Sequence, residues 1–114
     1  MKNLNFSEVV KNIKEDSWKF FQNDPILSAI EKDEEKIGAF IAVVVGQYAP
    51  KSIDNMRKIG KALDKLEQNK VEVELADDEF NLLKQAWNEL AGGFAARARD
   101  IVLPICDYLD EVAK

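Results

Sequence analysis

The chain predicts a mainly α fold: about five helices in a compact bundle, with one short two-stranded β element formed by residues 3–6 and 71–75. Three observations lead there. Apolar residues recur at helical spacing through most of the chain. Helix-start residues such as Ser7, Asp24-Pro25 and Ser52 stand immediately before those stripes. Strict polar–apolar alternation occurs twice, in Asn3-Leu4-Asn5-Phe6 and in Val71-Glu72-Val73-Glu74-Leu75. One strand is not stable alone, so the two segments are expected to pair with each other, or else with another subunit.

The first helix is expected to start at Ser7, with Glu8 beside it favouring the N-terminal end. Phe6, Val9, Val10, Ile13, Phe20 and Phe21 form its apolar side, interrupted by Ser17. Asn23-Asp24-Pro25 ends that helix and begins another, with Asp24 as N-cap and Pro25 at the first helical position. Ile26, Leu27 and Ile30 precede the charge run EKDEEK, residues 31 to 36, whose mixed signs read as a solvated helical face. From Ile37 the helix is almost wholly apolar, and Gly38, Ala42 and Gly46 lie four apart as a groove of small residues. Tyr48-Ala49-Pro50 closes it, because the residue before proline avoids helical geometry.

Ser52 is placed to cap the next helix, whose stripe is Ile53, Met56, Ile59, Leu63 and Leu66, with Asn69 as its stop. Its outer face carries Arg57, Lys58, Lys61 and Lys65, diluted by Asp54, Asp64 and Glu67 and without aromatics for stacking on bases. After the second strand Asp77 is expected to cap a helix, with Asp78 and Glu79 at its positive end. Phe80, Trp87, Phe94, Ile101 and Tyr108 then recur every seven residues, straight through Gly92-Gly93. That phase argues for one kinked helix, with the glycines as a kink or close-packing point against the Gly38-Ala42-Gly46 groove. Pro104 supplies a second kink by deleting a backbone hydrogen bond.

The whole chain, residues 1–114, fits a single helical domain able to bury its own core. Apolar residues are 46% and charged residues 32%, a balance suited to folding. A net charge of −5 argues against general affinity for nucleic acid or anionic membrane. No direct nucleic-acid binding is expected. The opening MKNLNFSEVVKNIKEDS has no apolar core of signal-peptide length, so export by that route is not expected. The most apolar run, residues 37 to 49, is too short to cross a bilayer and is interrupted by Gln47 and Tyr48. One cysteine, Cys106, excludes an intrachain disulfide and fits a reducing cytoplasm.

Chemistry is hard to seat on these residues. The chain contains no histidine, which removes zinc-histidine sites, Ser-His triads and Cys-His nucleophiles. Cys106 sits on an apolar stretch and reads as a structural thiol. The acids Glu72, Glu74, Asp77, Asp78 and Glu79 lack the EF-hand glycine and closing glutamate. Gly92-Gly93 follows a helix instead of a strand, and neither GxGxxG nor GxxxxGK[ST] is present. Arg97 and Arg99 are two residues apart and point about 200° away from each other, so one at most could grip a given anion. We therefore expect no catalytic residues, cofactor or metal, and a protein that acts by contact. The residues nominated for that contact are Trp87, Phe94, Arg97, Arg99 and Tyr108, since aromatics and arginine are favoured in interface cores.

The stretches MKNLNF, IGAFIAVVVGQ, KIGKALDKLEQ and VEVELADDEFNLLKQ, in this order, resemble small uncharacterised accessory proteins encoded by tailed bacteriophages and prophages. The resemblance covers about residues 35 to 110 and the opening strand; residues 7 to 34 form a helical segment that the family mostly lacks. It carries over no site residues. It implies an accessory or assembly role in the cytoplasm of a bacterial host cell. The leading expectation is thus self-association into a homo-oligomer, with a host protein as a further partner. Two alternatives accompany it. One is an acidic inhibitor of a host nucleic-acid-binding or defence complex, for which Glu31, Asp33, Glu34, Glu35, Glu72, Glu74 and Asp78 would share one surface. The other is a binder of small anionic ligands such as nucleotides through Gly92, Gly93 and Arg97.

Overall fold

A computed structural model of the chain describes residues 1–68 and 71–114, with backbone alone for residues 94–97. The fold is mainly α with a short β element. In chain order it runs β1 (Lys2–Asn5), α1 (Ser7–Val10), a 3₁₀ segment (Glu15–Asn23), α2 (Pro25–Ser28), α3 (Asp33–Val45), α4 (Ile53–Gln68), β2 (Glu72–Leu75), α5 (Asp77–Leu90), a 3₁₀ turn (Ala91–Phe94) and α6 (Ala95–Ala113).

The two alternating segments pair antiparallel, with Lys2 opposite Leu75, Asn3 opposite Glu74, Leu4 opposite Val73 and Asn5 opposite Glu72. Leu4, Val73 and Leu75 turn inward and are buried, while Asn3, Glu72 and Glu74 face out. The Phe6 N–H donates to the Val71 carbonyl at 3.0 Å and prolongs the ladder by one residue. Alternation then aims the Asn5 N–H at the other edge of the strand. There the Tyr108 hydroxyl accepts it at 2.6 Å, so α6 closes the open edge of β1.

The single helix expected over residues 7–21 is instead two pieces. Lys14 is extended (φ −67°, ψ 142°) and divides α1 from the 3₁₀ segment. The cause is the gap in the stripe: after Ile13 the next inward positions hold Asp16 and Ser17. Breaking the helix there lets the aromatics turn toward α3 independently. The start at Ser7 is as expected, and the Ser7 N–H donates to Asn5 Oδ1 at 3.1 Å. Downstream, Asp24 caps α2 as expected, its Oδ1 accepting from the N–H groups of Ile26 (2.8 Å) and Leu27 (3.1 Å). The charge run is divided, because α3 begins at Asp33 and places Asp33, Glu34 and Glu35 in its first turn, where the helix dipole favours acids. Ser52 Oγ accepts from the Asn55 N–H at 3.1 Å and caps α4. The expected stop at Asn69 lies outside the described residues.

The kinked continuous helix is overturned. The Trp87 indole N–H reaches Cys106 Sγ at 3.2 Å, and Lys84 pairs with Asp110 at 3.1 Å. On one unbroken helix residues 87 and 106 would be about 28 Å apart. The chain therefore reverses, and α5 and α6 form an antiparallel hairpin through the 3₁₀ turn and Ala98, whose φ of −130° is non-helical. The shared seven-residue phase has another origin: each arm carries its own inward stripe, and the hairpin sets the two face to face. Gly92 and Gly93 are exposed, and a Cβ on either would meet nothing within 4 Å, so they are not a close-packing point.

The core joins Leu4, Phe6 and Val9 to the inner faces of α3 to α6. At one end it becomes a chain of rings. Trp18 and Phe20 meet Phe21, Phe20 and Phe21 meet Phe40, and Phe40 meets Trp87, with centroids 5.5 to 5.8 Å apart. Among the described residues no helix is long and apolar enough to cross a membrane.

Candidate functional site

The three nominated contact residues whose side chains are described, Trp87, Arg99 and Tyr108, do not form one exposed face. Trp87 is fully enclosed, its ring against Phe40 and its N–H on the half-buried Cys106 thiol, so it belongs to the core. Tyr108 is half-buried and holds β1 through its hydroxyl. Arg99 is exposed and forms no ion pair among the described residues. The side chains of Phe94 and Arg97 lie outside the described residues.

One charged residue among those described is buried. Glu79 has a side chain 7% exposed; its Oε1 accepts from Lys65 Nζ at 2.6 Å and from the Ala76 N–H at 2.9 Å. Burial pulls its pKa up, but the Lys65 hydrogen bond, the Ala76 N–H and the Lys65 charge together outweigh burial and hold the carboxyl below its ordinary value. Asp78 and Glu79 stand in the first turn of α5 as expected, but the cap is different. Ala76, not Asp77, occupies the N-cap position, and Glu79 reaches back from the third helical position to the cap N–H. Asp77 instead meets the terminal amine of Met1 at 3.2 Å. Both Glu79 partners are structural.

The seven acids named for an inhibitory surface divide among separate elements. Asp33 pairs with Lys36 at 3.6 Å on α3, and Asp78 with Lys58 at 3.5 Å between α5 and α4. Glu72 and Glu74 stand on the open face of β2, where Glu72 accepts from the Asn5 side-chain amide at 3.4 Å. The glycines of the supposed anion cradle lie in a 3₁₀ turn after a helix and have no positive φ, so no backbone nest forms on them. Among the described residues no group of three acids or cysteines is close enough to hold a metal ion.

Two features remain; sequence reasoning missed the first, and of the second it read the cations but not the exposed apolar pair. The first is a broad open cleft of about 700 Å³ between the 3₁₀ segment, α2, α3 and the start of α6. Its apolar lining is Phe20, Leu27, Phe40 and Val43; its polar rim is Asp16, Lys19, Asp24 and Asp100. The WKFF run hinted at it, but the partners come from elements far apart in sequence. The second is the outer face of α4. Of the predicted stripe Ile59 and Leu66 are buried and Leu63 is half-buried, with Ala62 buried beside them, yet Ile53 and Met56 are 68% and 57% exposed. The first turns of α4 therefore run beyond the core they were expected to cover. Arg57 and Lys61, both exposed, continue the line from Ile53 at steps of four along the same face.

Compared with known protein families, curated proteins and solved structures, the chain matches none.

Proposed function

We propose that the chain is a non-enzymatic protein that acts by self-association, using the outer face of α4. The observation that carries this reading is the exposure of Ile53 and Met56 one turn apart, flanked by Arg57 and Lys61. An apolar pair beside two cations, with Asp54 and Asp64 exposed nearby, has the make-up of a contact patch with an apolar centre and a polar rim. A non-enzymatic role is supported by the employment of Glu79, the one buried charge among the described residues, in capping α5 and pairing Lys65. The resemblance to accessory proteins of tailed bacteriophages extends the proposal to a viral accessory or assembly role in a bacterial host, and rests on that sequence likeness alone.

Light scattering on the purified protein across a concentration series tests the proposal. The expected result is a concentration-dependent oligomer, and a monomer for the double variant Ile53→Glu, Met56→Glu with an unchanged helical circular-dichroism spectrum. A wild-type chain that stays monomeric at every concentration overturns it.

A further inference from the structure

We infer that the surface receiving α4 is the cleft of a second copy, so that the chain associates head to tail. The inference rests on the self-association proposed above and names its second half. Two patches of opposite character lie on the molecule. The cleft has an apolar floor of Phe20, Leu27, Phe40 and Val43 under a rim with three carboxylates, Asp16, Asp24 and Asp100, against one cation, Lys19. None of these four charges forms an ion pair among the described residues. The α4 face offers Ile53 and Met56 as apolar anchors with the cations Arg57 and Lys61 beside them; of the exposed acids on this helix, Asp54 adjoins Ile53 and Asp64 lies further along. Seating Ile53 and Met56 on the cleft floor brings Arg57 and Lys61 toward the acidic rim, which joins apolar burial to opposite charge.

Their placement excludes an internal contact. Phe40 and Val43 face the cleft, whereas Gly38 and Ala42 lie beside Leu66 and Glu67 of α4. At 100° per residue these two pairs occupy roughly opposite sides of α3. Donor face and cleft thus point away from each other within one chain and meet between copies. Two different patches make a heterologous contact, which repeats from copy to copy into a ring or an open filament unless one patch is disabled.

That property supplies the test. A cleft variant, Val43→Glu with Asp100→Lys, alters two exposed positions; the donor variant is Ile53→Glu with Met56→Glu. Each alone is expected to weaken association by at least about tenfold. Mixed one to one, the two variants still hold one intact α4 face and one intact cleft. They are expected to form a dimer that grows no further, seen by light scattering and by native mass spectrometry of differently labelled chains. A cleft variant that assembles as the wild type does, or a mixture that stays monomeric while the donor variant alone has lost assembly, overturns the head-to-tail contact but leaves self-association through α4 standing. A monomeric wild type overturns both. Complementation in the mixture also requires both variants to be folded, and matching thermal unfolding curves check this separately.

Discussion

Glu79 shows how a short-range pattern becomes a tertiary anchor. Its carboxylate joins the start of α5 to α4 through Lys65 while satisfying a cap N–H that no side chain at Ala76 could serve. Glu79→Gln keeps an acceptor for the Ala76 N–H but loses the charge opposite Lys65. The expected cost is roughly 1 to 3 kcal/mol in urea unfolding at pH 7, toward the lower end because Lys65 is partly solvated. The pH dependence has a fixed sign. A carboxyl whose folded pKa is lowered adds stability above its unfolded pKa, and that stability is lost as pH falls through the folded value. The gap between wild type and Glu79→Gln should therefore be full at neutral pH and shrink once pH drops below about 4.3. A gap that widens toward acid would contradict the assignment. At this scale the local caps were legible: Asp24 and Ser52 act within three residues of themselves. Glu79 was not, because its dominant partner is 14 residues away on another helix.

The hairpin of α5 and α6 is the element whose reading changed most. Two helices that face each other must both present apolar stripes, and stripes of similar period can line up across a turn without any continuity of the helix. The bonds from Trp87 to Cys106 and from Lys84 to Asp110 decide the matter, and neither leaves a trace in periodicity. Gly92 and Gly93 gain nothing here from lacking a side chain, since neither has a positive φ and open space surrounds each Cβ position. Gly92→Ala and Gly93→Ala should each stabilise the fold by about 0.4 to 1 kcal/mol, by reducing the freedom of the unfolded chain. Thermal unfolding checks this; a clear loss of stability would reinstate a steric role for the glycines. The strand pair, by contrast, was legible down to its partner, because only two segments alternate and each requires the other. The break after Ile13 was half legible, since Ser17 marked the gap but not the bend that fills it.

For the whole molecule the charge balance sets how association responds to salt. Two copies of net charge −5 repel at long range, while Arg57 and Lys61 attract the cleft rim at contact. The body measures 39 × 24 × 24 Å. At 0.01 M salt the screening length of about 30 Å spans most of that distance, so the general repulsion opposes assembly. At about 0.1 M it shortens to about 10 Å, which removes most of the repulsion and leaves the contact pairs acting. At about 1 M those pairs are screened as well. Association measured by sedimentation should thus be strongest near 0.1 M and weaker on both sides. A steady strengthening up to 1 M would point to a contact without ion pairs. The mainly α class was legible from periodicity, but the cleft was not, since it exists only after four separate elements have met.

The closure of β1 by Tyr108 has a consequence for how the chain is made. Asn5 leaves the ribosome early, yet its N–H finds the Tyr108 hydroxyl 103 residues later. At about 5 to 20 residues per second that interval is roughly 5 to 20 s; for about the first two thirds of it Leu4 and Phe6 have neither β2 nor α6 to cover them, and for the remainder they lack α6. The strand is thus a late arrival in assembly despite preceding β2 and α6 in synthesis. During that window the apolar side of β1, Leu4 with Phe6 just after it, is left bare.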